Sequence, residues 1–503
     1  MRWVLAAGAG VLWALQFGRD PAVIAPWLAL APLLYLFGKT HASGRLAFVF
    51  GFAAWMTGLF WIVPTLVTYG GMPTPLAIPL TGLLAAYLAG FDAAFGWLGG
   101  KVWRRWPWLR LLVVPAIWVA LEWLRTYLFG GFPWNLAAYS WVEVAGALQL
   151  SAWIGPYGIS FLVVLASAGV ASAIERRRWE PLAVAWLVPL LLLPLAGRWS
   201  VRENLDEVRE AVRFDGEGLP VRLIQPNIPN LTAYDPVIVL RNYRRLLDTS
   251  TEACQPGTLV IWPESAAWPF SYARDPQLRA DLDALVRRGC TVLFNSSHPV
   301  QESFYNSAYL LTPEGTIHRY DKRHLVPFGE YVPFRGLFSW MDKLARNAGE
   351  FRAAAGLTLL PWEREKIGMA ICYEVVYPEE VAELTRRGAT LLVTITNDAW
   401  YGDTWAPWQH YRAARFRAAE NRRPLLRTAI TGVSAVVGAD GSVWNQIGVF
   451  KEGVIRARVL GRTEMTLYAR LPWLFPFLAS VIAGVSVTTL IALYFFGRKE
   501  TKP

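Results

Sequence analysis

Three side chains in the second half of the chain have the chemistry that attack on a carbonyl carbon requires. Cys372 follows the apolar run 367–371 at a predicted strand-to-helix turn, where a helix N-terminus favours the reactive thiolate form. Glu264 ends another predicted strand, after a proline that stops strand pairing. Lys322 follows a third strand, and its compact ammonium group is suited to stabilise a developing oxyanion. Each residue alone also has an ordinary interpretation, as a buried cysteine or as part of a surface ion pair.

The elements that must position these residues lie between 198 and 470. This region alternates short β-rich runs with charged amphipathic runs, which predicts an α/β domain with helices packed on β-sheets. Its length of about 270 residues is enough for a hydrophobic core of its own. Polar residues at four predicted strand ends, including Asn397, indicate one site built from loops at a common sheet edge.

The rest of the chain has the composition of a membrane protein. Of its 503 residues 54% are hydrophobic and 26 are tryptophan, and its mean hydropathy is +0.29. Apolar runs long enough to span a bilayer are 3–18, 21–38, 46–69, 75–99, 109–129, 150–174, 181–197 and 472–497. We therefore expect a seven-helix transmembrane domain (1–197), the α/β domain (198–470), and an eighth helix with a tail (471–503).

The distribution of basic residues predicts the topology. One set of short loops carries many, among them Lys39, Lys101 and 176–178, whereas the other set carries little beyond Arg19 and Arg125. Both termini are therefore expected in the cytoplasm and 198–470 on the opposite side, the bacterial periplasm. The net charge is +11, and the basic residues collect beside apolar runs. We therefore expect contact with an anionic membrane surface and not with nucleic acid.

Four motifs carry a resemblance to known enzymes. They are Trp262-Pro263-Glu264, the segment 320–331 around Lys322, the segment 371–374 around Cys372, and the segment 396–403. Lys322 follows Glu264 by 58 residues, and Cys372 follows Lys322 by 50. In this order the motifs resemble the nitrilase superfamily and its Glu-Lys-Cys triad. Together with the predicted spans, essentially the whole chain resembles the family of apolipoprotein N-acyltransferases.

The resemblance implies a fold and a reaction. The fold is a nitrilase-like αββα sandwich inserted before the last helix of an eight-span α-helical transmembrane domain. Cys372 would attack an ester carbonyl of a phospholipid and form a thioester, with Glu264 as general base and Lys322 at the oxyanion. The acyl chain would then pass to the α-amino group of a lipoprotein's diacylglyceryl-cysteine. No cofactor or metal is expected, since five scattered histidines show no zinc-site spacing, and we expect a monomer.

Further residues receive supporting roles from the same resemblance. Glu330 would orient the lysine or assist proton transfer, and Tyr373 and Glu374 would line the pocket beside the nucleophile. Trp400 resembles the family's aromatic wall near the acyl chain. Tyr234 stands where similar chains tend to have tryptophan, so it either contacts substrate or packs on the domain surface.

The loop 334–341 is too apolar for ordinary exposure. With Phe338 and Trp340 it is either an arm inserted in the membrane interface or a lid packed on its own domain.

Alternatives remain open for the other cysteines and for the function. Cys254 and Cys290 either form a disulfide, which an oxidising compartment permits, or are both buried thiols. A membrane-anchored nitrilase-type amidase or hydrolase would share the triad but does not need eight spans. A transporter with an accessory domain would place charged residues within its spans, but the spans carry few, mainly Asp92 and Glu122, which we interpret as structural.

Overall fold

The chain forms two compact units. The computed structural model describes residues 1–20, 25–212, 218–229, 234–327, 329–331 and 351–497. By their contacts, the first unit contains Met1–Val63, Pro75–Trp199 and Leu471–Pro503, and the second contains Pro64–Thr74 and Ser200–Arg470.

The first unit is helical. The helices before the first strand are α1 (Arg2–Leu15), α2 (Ala25–Leu28), α3 (Ala31–Lys39), α4 (Ser43–Gly58), α5 (Ile62–Thr68), α6 (Thr74–Arg105), α7 (Arg110–Arg125), α8 (Ala147–Arg176) and α9 (Glu180–Val212). The last helix of the chain, Leu474–Gly497, closes this unit.

Several of these helices have the length and apolar composition of a membrane span. In the described residues, four pass that test: α6, α8, the Glu180–Arg198 part of α9, and Leu474–Leu493 of the last helix. A fifth is reached if α4 and α5, bent by 48° at a break, count as one span. Predicted spans 3–18 and 109–129 correspond to shorter helices of 14 and 16 residues. The count of eight spans stays a prediction.

The second unit contains two mixed β-sheets. Its strands are β1 (Leu219–Gln225), β2 (Leu259–Ile261), β3 (Thr291–Val300), β4 (Ser303–Leu311), β5 (Ile317–Asp321), β6 (Leu360–Trp362), β7 (Glu365–Ile371), β8 (Leu391–Thr396), β9 (Leu425–Ala429), β10 (Ser434–Val437), β11 (Val443–Ile447) and β12 (Gly453–Val459). The described strands form two sheets of six, ordered β12-β1-β2-β3-β4-β5 and β11-β10-β9-β8-β7-β6. In each sheet the central strands are parallel: β1-β2-β3 in one and β7-β8-β9 in the other.

The two sheets share one core and carry helices on their outer faces. Leu223 and Ile261 of the first sheet and Met369 and Val393 of the second belong to one buried cluster. A second cluster packs α10 (Pro236–Ala253) and α11 (Pro276–Val286) against the first sheet. Helices α12 (Pro378–Arg386) and α13 (Ala406–Asn421) contact β7 and β9 of the second sheet. The predicted αββα layering is therefore confirmed for this unit.

A disulfide ties the first sheet to its covering helices. Cys254, just after α10, is bonded to Cys290, just before β3, with their Cα atoms 5.5 Å apart. Of the two alternatives for these cysteines, the structure has the bonded one, and Cys372 is the free thiol.

Strand ends position the candidate site. Cys372 directly follows β7, Lys322 follows β5, Asn397 follows β8, and Glu264 lies three residues after β2. In each sheet the carboxyl ends of the parallel strands meet at one edge, and the hydrogen bond from the Asn397 backbone N–H to Glu264 joins the edge of the second sheet to that of the first.

Candidate active site

Cys372 has a strained backbone. It is the first residue of a short 3-10 turn, Cys372–Val376, and its φ is +52°, in the left-handed region. This conformation costs a non-glycine residue roughly 1–2 kcal/mol, so the surrounding contacts must hold it. A sharp turn at the end of a strand presents a side chain away from both neighbouring elements, which suits a nucleophile.

The thiol of Cys372 is neutral at rest. Its residue is only 8% exposed, and burial raises the pKa of the thiol. The Glu264 carboxylate raises it further, by more than the Lys322 ammonium lowers it. The expectation that a helix N-terminus favours a thiolate is therefore wrong: Cys372 begins a five-residue 3-10 turn, and burial together with the Glu264 carboxylate raises the pKa of its thiol. Such a thiol needs a base to attack.

Lys322 is a buried cation with unequal partners. Its side chain is 1% exposed, which excludes the surface ion-pair interpretation. The Nζ atom lies 2.9 Å from Glu330 Oε2 and 3.8 Å from Glu264 Oε1. Burial lowers the pKa of Lys322, but Glu330, Glu264, Cys372 and Glu374 together raise it by more, so the net shift is upward. The site therefore holds a permanent positive charge.

Amide groups hold the carboxylate of Glu264. Oε1 accepts a hydrogen bond from Asn306 Nδ2 at 2.9 Å, and Oε2 accepts one from the backbone N–H of Asn397 at 2.9 Å. Asn306 Nδ2 also donates to Glu330 Oε1 at 2.8 Å, and its own oxygen accepts from Asn295 Nδ2 at 2.7 Å. Asn306 thus separates and orients the two carboxylates, a role that sequence reasoning missed.

Glu374 connects the nucleophile's turn to the lysine loop. Its carboxylate accepts hydrogen bonds from the backbone N–H groups of Ile371 (2.7 Å), Arg323 (2.6 Å) and His324 (3.1 Å), and from the hydroxyl of Tyr320 (3.0 Å). Burial raises the pKa of Glu374 to about 7. Because these donors lie in both the Cys372 turn and the segment around Lys322, the Glu374 carboxylate acts as a brace that joins the two loops.

The aromatic candidates lie in different surroundings. Tyr373 is buried edge-on against Tyr377, with ring centroids 5.3 Å apart, and His324 stacks on Tyr377 at 3.7 Å. Tyr234 is 63% exposed and lies edge-on to Trp268 at 6.3 Å. Phe338 and Trp340 lie outside the described residues.

Trp400 is half exposed, and its loop is anchored by the short segment Pro64–Thr74 of the same unit. Thr65 Oγ1 donates to the carbonyl of Trp400 at 2.9 Å, and the Tyr69 hydroxyl donates to the carbonyl of Ala399 at 3.0 Å. The Tyr69 ring also meets the Trp400 indole edge-on, with centroids 5.0 Å apart. An apolar ring held at a fixed backbone position is suited to contact a chain of methylene groups.

The site contains the groups that general-base-assisted nucleophilic attack requires. A neutral thiol, a hydrogen-bonded carboxylate and a buried ammonium group are brought together. Within the described ranges, no three His, Cys, Asp or Glu side chains are grouped as a metal ion would need.

Two protein families match successive parts of the chain. Residues 9–169 match the family described as apolipoprotein N-acyltransferase N-terminal domain, and residues 221–464 match carbon-nitrogen hydrolase. The second range contains both sheets except for the first residues of β1.

Curated relatives are similar over nearly the full length. An apolipoprotein N-acyltransferase of Geobacter metallireducens is 35% identical, and the alignment covers 99% of this chain and 96% of the relative. One of Methylococcus capsulatus is 34% identical, covering 87% of this chain and 86% of the relative. Among solved structures, a mutant of the Nesterenkonia AN1 amidase from the nitrilase superfamily is 22% identical, covering 50% of this chain and 92% of that one, with a TM-score of 0.39.

Proposed function

Because the chain belongs to the apolipoprotein N-acyltransferase family, we propose that Cys372 carries a fatty acyl chain from a membrane phospholipid to a lipoprotein. The acceptor is the α-amino group of the lipoprotein's N-terminal diacylglyceryl-cysteine. The observation that carries the proposal is the burial of an ammonium group and a hydrogen-bonded carboxylate beside a neutral thiol. The catalytic residues are Glu264, Lys322 and Cys372.

The first half-reaction forms a thioester. Glu264 takes the proton of the Cys372 thiol as the sulfur attacks an ester carbonyl of the phospholipid. The tetrahedral intermediate collapses with cleavage of the ester C–O bond, and the proton held by Glu264 passes to the leaving oxygen. The products are a lysophospholipid and an acylated Cys372.

The developing negative charge is stabilised by Lys322 and a backbone N–H near Cys372. A cation that stays charged and is already buried needs no reorganisation when the oxyanion forms, which is the condition for strong electrostatic stabilisation. Glu330 orients the ammonium through its 2.9 Å contact.

The second half-reaction transfers the chain to the amine. The lipoprotein's amine attacks the thioester carbonyl, and Glu264 accepts the proton that the nitrogen loses. The C–S bond then breaks, and the departing sulfur of Cys372 takes that proton back, so the resting enzyme is restored. A thioester keeps the acyl group activated towards an amine.

Both proposed substrates are membrane-bound, and the apolar helices would hold the enzyme in the same membrane. We place the domain 198–470 in the periplasm, before the last of eight spans, with both termini in the cytoplasm. Tyr234, Tyr373 and Trp400 contact the substrates, and the loop bearing Phe338 and Trp340 inserts in the membrane interface. The chain works as a monomer.

Trapping the intermediate tests the proposal. Enzyme in phospholipid vesicles is quenched before acceptor is added, and the peptide containing Cys372 is measured by mass spectrometry. An acyl-sized mass increase that disappears in Cys372→Ala, and that a diacylglyceryl lipopeptide amine discharges, is expected. Discharge by water as fast as by the amine would indicate a nitrilase-type hydrolase instead. Topology tags within 198–470 that report the cytoplasm would contradict the membrane arrangement.

A further inference from the structure

A buried histidine contacts the backbone of the nucleophile. His410 lies on α13, is fully buried, and has its Nε2 atom 3.0 Å from the carbonyl oxygen of Cys372. Its Nδ1 atom lies 3.1 Å from Asp398 Oδ1. The proposed reaction uses neither residue, so this contact requires a separate explanation.

The far side of the imidazole is held by a rigid ionic group. Asp398 Oδ1 accepts from the Thr396 hydroxyl at 2.8 Å, and Oδ2 accepts from Arg427 Nη2 at 2.7 Å. Asp398 and Arg427 are both buried, and a Cβ atom at Gly432 would lie only 2.2 Å from Asp398 Oδ2. The carboxylate therefore has no room to move, and neither has the ring that it contacts.

The acceptor on the near side fixes one proton of the ring. A carbonyl oxygen only accepts hydrogen bonds, so Nε2 of His410 must carry a hydrogen to bond Cys372. Nδ1 faces both an acceptor, Asp398 Oδ1, and a donor, Arg427 Nη2 at 3.2 Å. Whether or not Nδ1 is protonated, the Nε2–H bond to Cys372 is kept.

We propose that His410 is a positioning residue, whose Nε2–H holds the Cys372–Tyr373 peptide plane and thereby the direction of the nucleophile. The left-handed φ of Cys372 is an unfavourable conformation that a hydrogen bond to its carbonyl oxygen stabilises. Since the peptide unit is planar and trans, fixing this C=O also fixes the Tyr373 N–H, which points the opposite way. The proposal rests on the proposed acyl transfer at Cys372.

Two amide substitutions separate the two ring nitrogens. The amide nitrogen of glutamine can occupy the place of Nε2, whereas that of asparagine reaches only as far as Nδ1. His410→Gln therefore keeps a donor towards Cys372, and His410→Asn keeps only the contact with Asp398. Both replace the ring by a neutral amide, so each controls in the other for the loss of the imidazole ring.

The test measures acyl transfer by the full-length enzyme in phospholipid vesicles. We expect kcat to fall about 10- to 100-fold in His410→Asn, because a small misplacement of a nucleophile has that effect, with KM for phospholipid unchanged. His410→Gln is expected to stay within about threefold of the unsubstituted enzyme. Alkylation of Cys372, the free thiol in this chain, should slow in the asparagine variant and recover in the glutamine variant.

Equal activity of the two variants, whether high or low, overturns the positioning role, because only one retains the donor. If Cys372→Ala itself keeps acyl transfer, the proposed function fails as well, so the two failures are distinguishable.

A measurement on the unsubstituted enzyme covers the case in which neither variant folds. In a 15N spectrum of histidine-labelled enzyme, Nε2 of His410 is expected to carry a proton between about pH 6 and 8. The signal is assigned by replacing His41, His298, His318 and His324 one at a time. An unprotonated Nε2 would contradict the proposal.

Discussion

The ammonium group of Lys322 lies 3.8 Å from the nearest oxygen of Glu264, beyond hydrogen-bonding distance although both groups are buried. The closer partner is Glu330, at 2.9 Å. A direct bond to the lysine would stabilise the Glu264 anion and weaken it as a base. In the proposed reaction, this separation leaves Glu330 to hold the cation and Glu264 to accept a proton.

Neutralising Glu330, the closer partner of Lys322, should disturb this division of roles between the two carboxylates. In Glu330→Gln we expect Lys322 to shift towards Glu264, because a buried ammonium group moves towards the remaining carboxylate. Acyl transfer should fall about 10- to 100-fold, mainly through slower thioester formation. Burst-phase release of lysophospholipid measures this step, and Glu302→Gln at an exposed position is the control. An unchanged burst rate would show that Glu330 has no part in orienting the lysine.

Removing the proposed base, Glu264, should have opposite effects on the acidity of the Cys372 thiol and on acyl transfer. Glu264 raises the pKa of the Cys372 thiol, so Glu264→Gln should lower that pKa while Lys322 still favours the thiolate. Acyl transfer should nevertheless fall about 10²- to 10⁴-fold, the usual contribution of a general base.

The pH dependence of iodoacetamide labelling measures the thiol directly. Its midpoint should lie at lower pH in Glu264→Gln than in the unsubstituted enzyme, with Cys372→Ala as the blank. A midpoint that stays in place or moves to higher pH would mean that the two groups do not interact.

The sequence predicts well those site residues that lie within local motifs. Glu264 and Cys372 each follow an apolar run and Lys322 follows a more polar strand, so their positions at strand ends follow from strand patterning. Asn306 stands within β4 and acts on Glu264 from 42 residues away, a contact that no local pattern encodes. Likewise Tyr69 belongs to a predicted span, and its bond to Ala399 joins residues 330 positions apart.

The protonation state of the Cys372 thiol was also predicted wrongly from the sequence. A helix-like run after Cys372 suggested a thiolate, but the sign of a pKa shift depends on burial and on neighbouring charges. Both are properties of the folded chain, here the closeness of Glu264 and the loss of solvent at the sheet edge.

The disulfide gives a simple prediction about thiol content. Unfolded without reductant, the chain should react with one equivalent of maleimide, at Cys372, and after reduction with three. Peptide mapping identifies the labelled residue. Three equivalents without reductant, in enzyme purified without reducing agents, would mean that Cys254 and Cys290 are not bonded in the cell.

The brace formed by Glu374 should make stability depend on pH. Its pKa is raised from the ordinary value of 4.5 to about 7, so the folded chain holds this proton more tightly than the unfolded chain does. The stabilisation is complete below about pH 4.5 and is lost as pH rises through about 7, a change on the order of 3 kcal/mol.

Thermal unfolding of full-length enzyme, compared with Glu374→Gln, measures this effect. The variant cannot titrate at this position. The Tm of the unsubstituted enzyme minus that of the variant should therefore be larger near about pH 5 than near about pH 8. Glu363→Gln, at an exposed position, should show no such trend. A Tm difference that stays constant or grows with pH would mean that Glu374 is ionised throughout.

The anchoring of Trp400 by Tyr69 predicts an effect on substrate affinity. Tyr69→Phe removes the hydrogen bond to the Ala399 carbonyl but keeps the ring against the indole, so we expect KM for phospholipid to rise about 2- to 5-fold with kcat nearly unchanged. Trp400→Ala removes the apolar surface itself and should raise KM by about tenfold or more. Alkylation of Cys372 by a small water-soluble reagent should be the same in both variants, because neither residue acts on the thiol. Equal losses of alkylation and of acyl transfer would mean that the loop holds the catalytic residues and does not contact the acyl chain.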